Sequence, residues 1–131
     1  MKKLLLILFT VSLFISCSSD DDNDQDYTSF VFEQTVDVTL PNCVAGYKKD
    51  DKYYKLGNLG ELSKGKQSPE IRISDNSINE VYFFTDYNSI IRLDYVFTLN
   101  KNKKNIFKLT ENMKGIIIGE IGKSDPTKYP Q

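Results

Sequence analysis

The chain has 131 residues, 40% hydrophobic and 27% charged, the size and balance of one globular domain. Its formal charge of −1 is unevenly spread: residues 27–131 hold 15 basic and 13 acidic side chains, a formal +2, so the low pI of 5.4 comes from a short acidic stretch near the start. A domain so close to neutral excludes the electrostatic footprint of a nucleic-acid binder, and the absence of histidine removes the commonest general base, the usual catalytic triads and most zinc sites.

Residues 1–16, MKKLLLILFTVSLFIS, place Lys2 and Lys3 before about a dozen largely apolar residues and end on the small Ser16. That run is shorter than the ~20 residues a spanning helix needs and has the layout of a secretory signal. The next residues, CSSDDDNDQD, contain five aspartates and no base. Such a segment buries too little apolar surface to offset its ordering entropy, so residues 17–28 read as a solvated spacer. Asp22, Asp24 and Asp26 fall at positions one, three and five of a calcium-loop template, with Glu33 at position twelve. Position six is Tyr27, where that loop needs glycine for its turn, and no metal site is expected.

Leu13 to Cys17, LFISC, resembles the lipobox of bacterial lipoproteins, with Phe14 where leucine is usual. The resemblance implies cleavage before Cys17 and fatty acyl chains such as palmitate on its sulfur and amino group, which two or more chains make a stable anchor. Ser18, Ser19, Asp20, Asp21 and Asp22 resemble the Ser/Asp-rich export signal of Bacteroidota surface lipoproteins, which implies an outer-membrane protein facing outward. The rival for Cys17 is a disulfide with Cys43, the other cysteine of the chain. With Cys17 consumed by lipidation, Cys43 is expected to be unpaired and buried.

From residue 29 the pattern turns to period two. Phe30, Phe32, Gln34, Val36, Val38 and Leu40 alternate with mostly polar neighbours, which predicts one half-buried strand closed by Pro41 and Asn42. Val44–Lys48 and Tyr53–Leu56 flank KKDDK, a predicted hairpin. Residues 57–69, with three of the seven glycines and Pro69, read as a loop pinned by Leu59 and Leu62. Ile71 and Ile73 mark a short strand, and Val81–Thr85 a strand covered on both faces. Ile91, Leu93, Tyr95, Phe97 and Leu99 give the clearest alternation and predict one strand. Phe107 and Leu109, then Ile116–Ile121, give two more, and residues 123–131, with two prolines, read as a loose tail.

About eight short strands separated by turn signals, with no amphipathic helix beyond the leader, predict an all-β domain over 29–122. The expected architecture is a small antiparallel β-sandwich, immunoglobulin-like or transthyretin-like, although the paired cysteines and tryptophan of immunoglobulin domains are missing. Chemistry-bearing residues are sparse. Asp75, Asp86 and Asp94 are the carboxylates a hydrolase would use, but they fall at strand ends or on exposed faces where solvated charge is ordinary. Two lysine groups, Lys48, Lys49 and Lys52, and Lys101, Lys103 and Lys104, sit in turns and read as solubilising tips that guard strand edges. Tyr47, Tyr53, Tyr54, Tyr82 and Tyr87 are the candidate ligand surface, since outward aromatics supply much of the energy of recognition. The expectation is a non-enzymatic binding or accessory module for a glycan or protein, without cofactor, tethered to the membrane through Cys17. A protective, immunity-type or structural envelope lipoprotein is the alternative, and a carboxylate hydrolase the last.

Overall fold

A computed structural model describes residues 26–120 and 125–131. The signal segment, Cys17 and the Ser18–Asp22 stretch lie outside the described residues. The described chain is all-β, with nine strands and no helix: β1 (Thr28–Gln34), β2 (Leu40–Lys49), β3 (Lys52–Leu62), β4 (Ile71–Ile73), β5 (Glu80–Asp86), β6 (Ile90–Leu93), β7 (Phe97–Thr98), β8 (Lys104–Leu109) and β9 (Gly115–Gly119).

Two sheets face each other. The smaller has the order β4-β1-β8, the larger β3-β2-β5-β6-β9, with β7 paired to the start of β5. All pairings are antiparallel except β1 with β8, which run parallel over Ser29–Gln34 and Lys104–Leu109. Phe30 and Phe32 of β1 enter the core between the sheets together with Cys43, Ala45, Val81, Phe83 and Leu109. The Phe32 ring meets Phe83 and Phe97 of the larger sheet edge-on at centroid distances of 5.1 and 4.9 Å, the geometry favoured by the ring quadrupole.

Two predicted strands are each two strands. The alternation from Phe30 to Leu40 is broken after Gln34, where the chain crosses from the small sheet to the large one. The Gln34 side chain holds that crossing: its Nε2 donates to the Val38 carbonyl (2.9 Å), and its Oε1 accepts from the Val36 N–H (3.2 Å). Both strands present the same core, so the period of two runs through the break unmarked. Likewise Ile91–Leu99 divides at Asp94–Val96 into β6 and β7, which pair successively along one edge of β5.

Pro41 and Asn42 do not end a strand. They lie at the start of β2, where the register with β3 shifts between Leu40 and Cys43, and Asn42 takes a positive φ of 46°. Pro41 is tolerated because its neighbourhood is bulged, and its carbonyl accepts from Thr85 Oγ1 at 2.6 Å. Residues 57–62, read as loop, are the second half of β3. Their glycines mark irregularities rather than a loop: Gly60, with φ +72°, sits opposite Cys43 at the bulge, and a Cβ on Gly57 would come within 2.8 Å of Ile71 Cδ1.

The hairpin at KKDDK forms as predicted. Asp50 and Asp51 both have positive φ, 52° and 61°, which matches the twist of a tight two-residue turn. The C-terminal residues 125–131 are not loose. Tyr53 and Lys55 N–H donate to the carbonyls of Pro126 (2.7 Å) and Gln131 (3.2 Å), so this segment lies along the outer edge of β3. Pro130 is fully buried. Its ring fills the space above Gly46, where an added Cβ would meet Pro130 Cγ at 2.9 Å. Beneath the segment lies a second apolar cluster of Val44, Tyr53 and Phe84, flanked by Tyr82, Ile118 and Tyr129, on the outer face of the large sheet. That cluster is why β5 is covered on both faces.

Candidate functional site

Strands β2 and β5 pair from Val44↔Phe84 to Gly46↔Tyr82 and then part. β2 continues into the hairpin with β3, whereas β5 begins against β7. A groove of about 330 Å³ opens at this fork, between Tyr47, Lys48 and Lys49 on one side and Ser77–Glu80 and Tyr82 on the other.

Local chemistry builds each wall. Tyr47 and Tyr54 are directly opposed across the hairpin and stack, with centroids 5.4 Å apart and planes 26° from parallel. Tyr47 leans on the main core while Tyr54 is 37% exposed. Lys48 lies 5.7 Å from the Tyr53 ring centroid and 3.9 Å from Asp51, contacts too exposed to stabilise much. On the other wall, Asp75 accepts hydrogen bonds from Ser77 N–H (2.9 Å) and Oγ (2.7 Å), which hold its carboxyl below the ordinary range. Lys101 donates to the carbonyls of Asn76 (3.0 Å) and Ile78, pinning the same loop from behind. Partial burial, with Tyr53 and Glu80 nearby, raises the Tyr82 phenol above its usual range, so it stays a neutral hydrogen-bonding group.

The five candidate tyrosines therefore separate. Tyr47 and Tyr54 form an accessible pair, and Tyr82 lines the groove. Tyr53 is 3% exposed and belongs to the outer cluster, where it meets Tyr82 and Phe84 edge-on at 5.3 Å each and accepts a hydrogen bond from Arg92. Its place as a ligand-surface residue is withdrawn: the C-terminal segment covers the face toward which it points. Tyr87, 51% exposed, lies at the far end of β5. There it rims a different opening of about 280 Å³ between the sheets, lined by Val36, Val38, Leu40, Ile91 and Met113. The sequence reading missed Ser77, Asn79 and Glu80 as groove residues; their signal was the SDNS turn entering β5. It also missed Tyr95, 51% exposed beside a third groove along Ile106–Lys108.

The three carboxylates singled out are scattered. Asp75 lies before β5 and Asp86 ends it, so a strand's length separates them, while Asp94 is exposed in the turn after β6. Cys43 is buried with no disulfide partner among the described residues. Its Sγ lies 3.2 Å from the Leu40 carbonyl, and burial pushes the thiol up to about 11. Among the described residues no group of three or more Cys, Asp or Glu side chains is placed to hold a metal ion. Comparison with protein-family models, with curated proteins and with solved structures returned no match.

Proposed function

We propose that this chain is an envelope lipoprotein, anchored through an acylated Cys17 on an acidic spacer, whose β-sandwich binds a glycan in the groove at the β2–β3 hairpin. The observation that carries the reading is the stacked Tyr47–Tyr54 pair beside a groove lined by Lys48, Lys49, Ser77, Asn79 and Glu80. Sugars offer apolar C–H faces that pack on aromatic rings and hydroxyls that both donate and accept. The groove supplies ring surface, ammonium and hydroxyl donors, and a carboxylate acceptor within one small volume. At about 330 Å³ it lies in the size range of small-ligand clefts, whereas a protein partner needs a broader patch.

The role is binding rather than catalysis. A sequence without histidine, with its candidate carboxylates dispersed, gives a bound sugar no paired acid and base. Titration of the protein with a panel of neutral and acidic oligosaccharides, followed by NMR, tests the reading. Shifts confined to residues 47–54 and 77–82 are the expected result; no shift there with any member of the panel overturns it.

A further inference from the structure

Cross-strand partners share a face of their sheet, so Ile117 of β9, the partner of Ile91 in β6, stands on the same side as Ile91. That side is the core side. Ile91 is itself the partner of Thr85, whose Oγ1 lies against Cys43 of the core, whereas the neighbouring Arg92 turns to the outer face and reaches Tyr53. Ile91 lines the opening rimmed by Tyr87. One strand further out, Ile117 is 74% exposed. The core face of the large sheet therefore runs on, still apolar, beyond the cover that the small sheet supplies.

Hydrogen bonds preset the walls of this recess. On one side Val36, Val38 and Leu40 belong to the crossing between the sheets, which the Gln34 side chain holds and a bond from the Val38 N–H to the Val36 carbonyl (2.8 Å) tightens. On the other, Met113 follows a turn closed by its own N–H on the Thr110 carbonyl at 3.1 Å. Gly115 lets β9 approach Ile91 closely, since a Cβ there would stand 2.9 Å from Ile91 Cγ2. Glu111 is the one charged residue lining the recess. It is exposed at the rim, and among the described residues its carboxylate has no hydrogen-bond or ion-pair partner. The other charges nearby do not change that sign. Asp86 turns outward toward Tyr129, and Asp37 and Lys114, each next to lining residues in the chain, offset one another.

We propose that the recess binds a small amphiphilic amine, with its aliphatic or aromatic body on Leu40, Ile91, Leu93 and Met113 and its protonated head on the Glu111 carboxylate. Apolar walls with a single polar anchor at the mouth are the usual make-up of a small-ligand site, and about 280 Å³ suits one such molecule rather than a macromolecule. The sign of the anchor selects the class. A fatty acid would bring its own carboxylate against Glu111, and an alcohol would gain no charge contact. An ammonium pairs with the carboxylate while it keeps part of its hydration at the rim. Because Glu111 is exposed, that pairing contributes only a few-fold in affinity, and the apolar body carries the rest.

The test is a methyl-detected NMR titration of the full chain with hexylamine, octylamine, octanol and octanoate, each below its micellar concentration. Shifts should be confined to the methyls of Leu40, Ile91, Leu93, Met113 and their neighbours in the recess. Affinity should rise by about fourfold for each added methylene from hexylamine to octylamine. Octylamine should bind a few-fold more tightly than octanol, and octanoate should bind weakest. Glu111→Gln, a change at an exposed position that leaves the fold intact, should bring octylamine down to the level of octanol and leave octanol unchanged. The recess shares no residue with the hairpin groove, which lies at the other end of β5, so a failure here leaves the glycan reading standing. No shift in the recess with any probe, octanoate binding as tightly as octylamine, or a Glu111→Gln variant that weakens octanol as much as octylamine would each overturn the proposal.

Discussion

Tyr129 stands edge-on to Phe84, with ring centroids 5.7 Å apart and planes at 79°, and this contact seals the outer face of the large sheet with the last seven residues of the chain. The segment is shaped by its own turn: Asp125 Oδ1 accepts from the N–H (2.9 Å) and Oγ1 (2.6 Å) of Thr127, while its carbonyl accepts from Lys128 and Tyr129 N–H. Tyr129→Ala should cost about 1–3 kcal/mol in denaturant unfolding, the range for removing a half-buried aromatic. It should also expose the Tyr53 and Lys55 amides to fast hydrogen exchange. Protection of those two amides unchanged in the variant would show that the segment does not hold the β3 edge.

The same turn has a pH signature. The hydrogen bonds from Thr127 hold the Asp125 carboxyl below its ordinary 3.8. A lowered folded-state value means that the stabilisation is present above pH ~4 and is lost as pH falls through the folded value. Asp125 is partly exposed and its partners lie two residues away, so the effect is local. NMR titration should show the Thr127 amide shifting below pH 4 in the wild type, with no such shift in Asp125→Ala.

Much of this fold was legible in the residues because alternation reports which side chains share a core. Phe30 and Phe32 were placed by it, whereas Val81 and Phe83 were placed by the unbroken apolar run Val81–Thr85. What alternation does not report is whether the chain stays in one sheet. Gln34–Leu40 changes sheet and Asp94–Val96 leaves the ladder, yet apolar residues recur at every second position through both breaks, even where Val38 and Tyr95 are exposed, so the pattern continues unmarked. Gly57 and Gly60 misled in the opposite direction, since a glycine at a bulge and a glycine in a loop look alike in sequence. The tyrosines were half legible: Tyr47 and Tyr54 share a face because they are cross-strand partners, but the burial of Tyr53 depends on Pro126–Gln131, more than seventy residues away.

Asn105 is a second long-range tie. Its Nδ2 donates to the carbonyls of Ser29 and Asn100, both at 3.0 Å, and to that of Lys103 at 3.2 Å, while its Oδ1 accepts from the Asn100 N–H at 2.8 Å. The side chain is buried, so truncation strips partners from main-chain groups already out of water. Asn105→Ala should destabilise by about 2–4 kcal/mol, several times a single net hydrogen bond. A loss under 0.5 kcal/mol in urea unfolding would show that water replaces the amide freely.

Cys43 gives a prediction at the alkaline end. Its thiol is raised from 9.0 to about 11 by burial, against smaller lowering contacts from Thr85 and Leu62. For a raised value the stabilisation is complete below pH ~9 and is lost as pH climbs toward 11, because the unfolded chain ionises first. The wild type should therefore lose more stability between pH 8.5 and 10.5 than Cys43→Ala does. The native thiol should also resist a disulfide reagent at pH 8 until the protein is unfolded. Immediate full labelling of Cys43 in the native state would contradict the burial argument.

The glycan proposal rests on Tyr47 and Tyr54, which differ in what they support. Tyr47 leans on the core, so its removal perturbs packing as well as binding. Tyr54 is exposed and mainly contributes the stacked ring. Tyr54→Ala should therefore lower affinity for a responsive oligosaccharide by about tenfold or more, the effect of an aromatic anchor worth at least ~1.4 kcal/mol, with little change in unfolding midpoint. Tyr54→Phe should retain most of the affinity if the ring face carries the contact, and lose it if the hydroxyl does. Lys49→Ala should weaken acidic glycans more than neutral ones, and the difference should shrink as salt rises. A Tyr54→Ala variant that binds every glycan as well as the wild type would remove the stacked pair from the site and leave the groove without its anchor.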